Sequence, residues 1–502
     1  MSKDNNLSLL LRMERGNIEF TRNHPYQSNL IFSDAIELSR KLFTEKFSQI
    51  ATTGVANDNF KDFYGEKFER SLLYFYASLT SMNLCQDGKR ESYTTRDGQD
   101  RNVVETIVPE YVLRPDEVRL ARQAARAQIL SWDSFLTNIK NDNWGKNVFK
   151  NDILAKVYGA FVHESMNTNQ DDQIALQLYK DARDLLSKNF NIYPSFNVKA
   201  KEFGDEFKKF TSQPEVDVKK YIEPTAWSKQ LDNYLDDKVK ALTKREKKSN
   251  FKFVLQEGLI AEKVPFKVNI GLKGAMEQTD DAGTKKSIAS FGSAVLAVFA
   301  ANKLGLMSPN NTFGQNYLGV QVASLAVNEA GIEFEIPKVV EKPVTQSFSL
   351  VVKNDKGAQV FERNLVLVSP LSDIAYASVK EDAISRVTKT GVRVAVKHVA
   401  AIAAAFGTYQ MMGGGNHEFL AKTAAVASYI GASKLIAASE KADTRYWSTL
   451  PHTIRVADAI LAPGHYSAEI IMKEGTNSIA TKIPDFDIQD SKETKIVSYR
   501  HL

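Results

Sequence analysis

The chain has one cysteine, Cys85, among its 502 residues, which excludes an internal disulfide and every paired-cysteine metal or redox motif. Its setting, SMNLCQDG, carries no nucleophile motif and reads as a core position at a helix end. Histidine is scarce too. The seven are scattered rather than spaced as ligands, and His417-Glu418 lacks the second histidine of a zinc-protease helix. Long apolar runs are missing. The longest, Ile288–Ala301 (IASFGSAVLAVFAA), stops short of the roughly 18–20 residues that span a bilayer, so a buried helix is expected rather than a transmembrane segment. Neither sign of charge dominates: 65 basic and 60 acidic side chains are interspersed and leave a net charge of +5, which argues against a nucleic-acid surface. The densest basic run, Leu242–Lys252 (LTKREKKSNFK), reads as a solvated linker beside a domain junction. The start, MSKDNNLSLLLRMERG, has too short an apolar run for a signal peptide and no cleavage pattern.

What is present suits a globular protein. Hydrophobic residues make up 43% and charged residues 25%, and the length allows at least two cores, because single cores stop growing near ~250–300 residues. Up to about residue 245 the apolar spacing is helical. After Pro115, the residues Val118, Ala121, Ala125, Ile129, Trp132, Leu136 and Ile139 recur every three or four positions, with charges between them. Pro115, Asp116 and Glu117 supply the helix start. Leu154–Asn189 reads as a helical pair with small residues, Gly159 and Ala160, where the helices cross. Ser8–Leu38 and Tyr64–Leu84 are weaker versions. Between them and Pro115, residues 91–108 read as an inserted hairpin around Asp97-Gly98. The expectation for 1–245 is therefore a divergent helical array resembling tetratricopeptide repeats.

From about residue 250 the period changes to two. Phe251, Phe253 and Leu255 alternate, as do Phe266, Val268 and Ile270; QSFSLVVKNDKGAQVFERNLVLV reads as a hairpin turning at Asn354, Asp355 and Gly357, and a second is expected over 453–472 around Pro463-Gly464. Alanine-rich stretches at about Ile288–Lys303, Ser372–Gly407 and Phe419–Ala442 read as helices that cover these strands. An α+β multidomain protein is expected, with the helical array in 1–245 and a mixed domain of antiparallel strands and alanine-rich helices in 250–502.

Motifs for chemistry are thin. YQMMGGGNHEFLAKT, Tyr409–Thr423, fails as a phosphate loop: Ala421 rather than glycine precedes Lys422-Thr423, and Asn416 stands where the first glycine belongs, so it reads as a helix–helix turn. Asp485, Asp487 and Asp490 mimic the start of a calcium loop without its glycine and glutamate. There is no G-x-S-x-G elbow and no G-x-G-x-x-G after a strand. No catalytic residue, cofactor or metal ligand is assigned, and a non-enzymatic protein is expected.

One further stretch carries a resemblance. Asp443, Thr444, Arg445, Trp447, Leu450 and Pro451, followed by Ile454, Val456, Ala457, Pro463 and Gly464, resemble the C-terminal signature of an uncharacterised family of bacterial cell-envelope lipoproteins whose N-terminal halves are tetratricopeptide-like. Tyr64, Gly65 and Glu66 open a second matching piece, YGEKFERSLLYFYASL, and the likeness runs from about Ser8 to Met472. It implies a periplasmic envelope location, a lipid anchor supplied by an N-terminus upstream of Met1, and no established activity to transfer. The sequence as given shows no export signal and no cysteine near its start, which leaves a cytoplasmic location as the alternative.

The matched residues also have structural roles to fill. Trp447 and Leu450 pack the incoming segment onto the sheet, Pro451 opens the strand, Pro463-Gly464 turns it, and Arg445 pairs with Asp443. The expected function is a scaffold that binds a protein or peptide partner, since stacked helix pairs create extended concave surfaces. The alternatives are a membrane-proximal structural or oligomeric protein and a cryptic enzyme acting on a cell-wall component.

Overall fold

The computed structural model describes residues 7–49, 62–97, 104–141, 149, 151–188, 193–199, 222–246, 248–270, 332–380, 418–474, 477–490 and 493–502, with isolated helical positions between 390 and 411. Eight helices carry labels here: α1 (Ser8–Thr21), α2 (Pro25–Gln49), α3 (Lys67–Asp87), α4 (Pro115–Asn141), α5 (Ile153–Ser165), α6 (Asn169–Lys188), α7 (Ala226–Thr243) and α8 (Glu418–Ser439). A further helical stretch occupies 371–380.

The first seven helices stack in chain order, each packing on the next. Their starts follow local chemistry. Acidic Asp116 and Glu117 fill the first turn of α4 behind Pro115, as its sequence implies. The Asp152 carboxylate accepts from the Leu154 N–H to cap α5. Glu66 and Glu69 form a capping box at the start of α3, which ends on left-handed Gly88. Small residues sit at the crossings. A Cβ on Gly159 would lie 3.1 Å from Ile129 Cγ2 of α4, and one on Gly16 would lie 2.6 Å from the Phe32 ring of α2. Gly16→Ala is therefore expected to overpack this contact at a cost of ~1–3 kcal/mol, against at most ~1 kcal/mol gained in helix propensity. A chemical denaturation midpoint equal to or above that of the wild type would show that α1 and α2 can part at no cost.

The strands are β1 (Lys89–Arg90), β2 (Tyr93–Asp97), β3 (Val104–Val108), β4 (Tyr111–Val112), β5 (Asn197–Lys199), β6 (Ile222–Pro224), β7 (Phe251–Glu257), β8 (Lys263–Ile270), β9 (Ile332–Val339), β10 (Ser347–Asn354), β11 (Gln359–Asn364), β12 (Val366–Pro370), β13 (Thr453–Ala459), β14 (Gly464–Glu474), β15 (Asn477–Ile488) and β16 (Lys495–His501). Two four-stranded sheets dominate, ordered β12-β13-β7-β16 and β11-β10-β14-β15; β1–β4, β2–β3, β5–β6 and β8–β9 are two-stranded ribbons. All these pairings are antiparallel except β16 with β7. The hairpins read at 91–108 and across Asn354–Gly357 are present as β2–β3 and β10–β11.

The hairpin expected over 453–472 is not. β13 belongs to the first sheet and β14 to the second, so Pro463-Gly464 marks a crossing between sheets, and the chain continues through β15 and β16. The physical reason lies in β7, whose seven residues are all buried. Phe251, Phe253 and Leu255 face the second sheet among Phe348, Leu350, Val352, Ile470 and Phe486, while Val254 joins the core shared with the helices. Both faces of this central strand need cover. One comes from the opposite sheet and the other from α3, α5 and α7, which touch β16 and β12.

Among the described residues the alanine-rich helices are not the main covering layer that composition suggested. α8 packs on β9, and the 371–380 helix adds Leu371 and Ile374 to the helix-side core. Ile288–Lys303, most of the stretch to Gly407, and the glycine run at 413–415 lie outside the described residues. The helix-side core itself is continuous from Leu9 of α1 to Ile496 of β16, so it draws on both halves of the chain.

Candidate functional site

Two polar constellations lie where the helical row meets the first sheet. One is built from the residues that carry the resemblance. Segment 443–451 runs without regular structure across α1–α3, and its backbone is captured by side chains. Glu14 of α1 accepts from the Ser448 N–H at 2.7 Å and the Thr449 N–H at 3.2 Å, and Glu69 of α3 accepts from the Trp447 N–H at 2.7 Å. Asn17 and Arg500 both donate to the Thr449 carbonyl, and Lys263 donates to the Arg445 carbonyl and to the Glu66 carboxylate. Trp447 is fully buried, its ring near Phe32 of α2 and Tyr76 of α3, so it seats the segment on the helices, where the sequence pointed to the sheet.

The expected Asp443–Arg445 ion pair is present at 2.8 Å. Leu450 is buried in the same core, and Pro451 stands two residues ahead of β13. Thr444 is half-buried, and Tyr64 and Gly65 lead into α3, Gly65 at φ +70°. The structure therefore brings Glu66, Asp443, Arg445, Trp447 and Leu450 together, while Pro463 and Gly464 stand apart at the sheet crossing. Glu14, Asn17, Glu69, Lys263 and Arg500 complete the group. The only sequence signal any of them gave was Glu69, three residues after the capping position at Glu66.

Burial pushes the Glu69 carboxyl up to about 7, with the Glu66 charge adding to the rise and Lys263 opposing it. Asp152 is pushed up to about 7 and Asp373 to about 6, again by burial. Carboxyls raised in the folded state bind protons that the unfolded chain has released. Between about pH 4.5 and 7, stability is expected to fall as pH rises, by up to ~1.4 kcal/mol per pH unit per group. Urea unfolding across that window checks the slope, and Glu69→Gln should remove its share; an unchanged slope in that variant would assign the effect elsewhere.

The second constellation was hidden in the run read as a solvated linker. Lys248 does reach the surface, pairing with Asp172 at 2.8 Å, but Lys252 is fully buried on β7. It donates to Glu164 of α5 at 3.0 Å and to Ser249 at 3.2 Å, with its ammonium 4.5 Å from the Phe161 ring centre. Asp458, its cross-strand neighbour on β13, accepts from Lys238 of α7 at 2.5 Å, and Tyr179 of α6 donates to Glu164. Two ammoniums thus meet two carboxylates. Burial drives Lys252 down to about 8 despite its carboxylate partner, whereas the lysines hold Asp458 and Glu164 below their ordinary values, against the effect of burial. The cluster ties three helices to two strands.

Elsewhere, Asp485 and Asp487 lie on β15 beside His465, with His465 Nδ1 2.8 Å from Asp487 Oδ1, in a strand pairing rather than a calcium loop. Among the described residues no group of three histidine, cysteine or acidic side chains is placed to hold a metal ion. No helix among them is long and apolar enough to cross a membrane. No protein-family model, curated protein or solved structure matches this chain.

Proposed function

We propose that the protein is a non-enzymatic interaction or scaffold protein of the bacterial cell envelope, with a divergent tetratricopeptide-like helical half and, only if its N-terminus extends upstream of Met1, a lipid anchor there. The observation that carries this reading is the helical row itself, stacked in chain order and gripping an extended segment by its backbone with one aromatic anchor. Stacked helix pairs take extended chains in this manner. Segment 443–451 already occupies that stretch of α1–α3, so we place a partner at leucines left exposed elsewhere on the helices, Leu30 of α2 and Leu120 and Leu130 of α4.

The test is site-specific photocrosslinking from positions 30, 120 and 130 in envelope extract. One reproducible adduct, lost when the neighbouring exposed leucine becomes aspartate, supports the scaffold. Failure to recover any reproducible adduct counts against it. Location is tested separately: expression with the full upstream reading frame, cell fractionation and intact mass should give a lipidated envelope protein, and an unmodified cytoplasmic product would overturn that part.

A second reading, a membrane-proximal or oligomeric structural protein, draws on Leu420 and Leu435, which are exposed on α8. A clean monomer without detergent would count against it.

A further inference from the structure

β12 runs straight into the 371–380 helix, and Ser372 stands in the first turn of that helix. Its Oγ lies 2.7 Å from Nδ1 of His452, the residue just ahead of β13. The Ala261 N–H donates to the same Oγ at 2.9 Å. The Ser372 N–H donates to the His452 carbonyl and the His452 N–H to the Glu257 carbonyl, so both backbones are fixed. With Oγ already accepting from Ala261, the Ser372 hydroxyl proton is available to donate, and the tautomer protonated on Nε2 presents the Nδ1 lone pair to it.

Burial holds His452 down to about 4, with Glu257 raising it and Lys342 and Arg455 lowering it, so with the strap at 340–346 closed the ring is neutral at pH 7 and resists protonation, and its role as base requires the strap to lift and readmit water. A hydroxyl held within hydrogen-bond reach of a base is the core of the arrangement that activates a serine nucleophile, and here the backbones of both residues are fixed. Its place in a first helical turn adds a positive end that favours a developing oxyanion.

We propose that Ser372 and His452 form a nucleophile–base pair for acyl transfer from an ester, covered by the strap at 340–346. The strap has no regular structure over most of its length and is solvent-exposed over 340–343. It is held by the Val340 N–H on the Glu262 carbonyl, by Lys342 on the Leu259 carbonyl and by Arg455 on the Gln346 carbonyl. In this closed form Ser372 is 1% exposed and His452 5%, so the strap must lift for a substrate to enter.

In the reaction, Ser372 Oγ attacks the ester carbonyl carbon while its proton passes to His452 Nδ1. The proton then goes to the departing alkoxide, leaving an alcohol and an acyl-Ser372. Water, deprotonated by His452, attacks the acyl carbon, and Ser372 regains its proton as the carboxylic acid leaves. This activity would overturn the non-enzymatic part of the proposed function, and it is independent of the partner-binding part.

The test treats the full-length protein with a serine-directed fluorophosphonate, read by intact mass and peptide mapping. One adduct at Ser372 is expected, absent in Ser372→Ala, slowed at least ~100-fold in His452→Gln, and accelerated in Lys342→Ala, which loosens the strap. Thermal melts confirm that each variant is folded. No adduct in either the wild type or Lys342→Ala would overturn the proposal, as would labelling at an equal rate in His452→Gln, which would leave the pair a structural relay. Neither result bears on the crosslinking test of the scaffold.

Discussion

Replacing Glu164 by alanine is expected to lower the unfolding free energy by ~3–5 kcal/mol. Glu164 accepts from Lys252, which is fully buried, and from the Tyr179 hydroxyl, and it lies 3.8 Å from Lys238. Its removal leaves two ammoniums facing the single carboxylate of Asp458 in a site almost closed to solvent. The loss reflects an uncompensated buried charge rather than the net worth of the pair, since attraction between buried ions roughly offsets their desolvation.

A double-mutant cycle separates the two. With Lys252→Met already present, Glu164→Ala leaves one lysine to balance Asp458 and should cost far less than it does in the wild type. Equal costs in both backgrounds, measured by urea unfolding, would mean that Glu164 acts through packing and not charge. The same network predicts acid sensitivity. Asp458 and Glu164 are held below their ordinary values, so the stability they contribute is present above about pH 4 and is lost as pH falls through their folded values. Above about pH 4.5 the raised carboxyls of Glu69, Asp152 and Asp373 lose stability as pH rises, while His398 and His452, held down to about 4, gain it up to about pH 6.5 and partly offset that loss.

Trp447→Ala is expected to cost ~3–5 kcal/mol by cavity formation, and its consequences should be directional. The indole is the largest side chain by which the 443–451 segment enters the helical core, with Leu450 beside it in the same core, and its Nε1 donates to Thr449 Oγ1 within that segment. Its loss should loosen the segment from α1–α3 before it disturbs the sheets. Amide hydrogen exchange checks this: the N–H groups of Trp447, Ser448 and Thr449 should lose protection, while β7 and β13 keep theirs. Uniform loss of protection would show that segment and sandwich unfold as one unit.

The helices were legible where their signals are local. The three- and four-residue spacing after Pro115 is that of α4, whose Ala125, Ile129 and Trp132 are buried, and Gly159 sits at a crossing of α4, α5 and α6. The hairpin at Asn354–Gly357 and the Asp443–Arg445 pair were legible for the same reason, because turn chemistry and a two-residue separation are written in consecutive residues. The partners of segment 443–451 were not. Glu69 is 378 residues from Trp447, and Glu14 is 434 residues from Ser448. No periodicity couples positions that far apart.

Sequence alone therefore determined the helical first half, the change to strands near residue 250, most local turns, and the want of any familiar catalytic or metal motif. Each depends on a residue and its near neighbours. Tertiary structure decided the rest: that the strands form two facing sheets, that β13 and β14 part company at Pro463-Gly464, and that Lys252 is a buried ion rather than a linker charge. It also decided that Ser372 meets His452. Burial and pairing across hundreds of residues are set by which faces must be covered once the core closes, and a lysine or serine reads the same in sequence whether water or a carboxylate stands beside it.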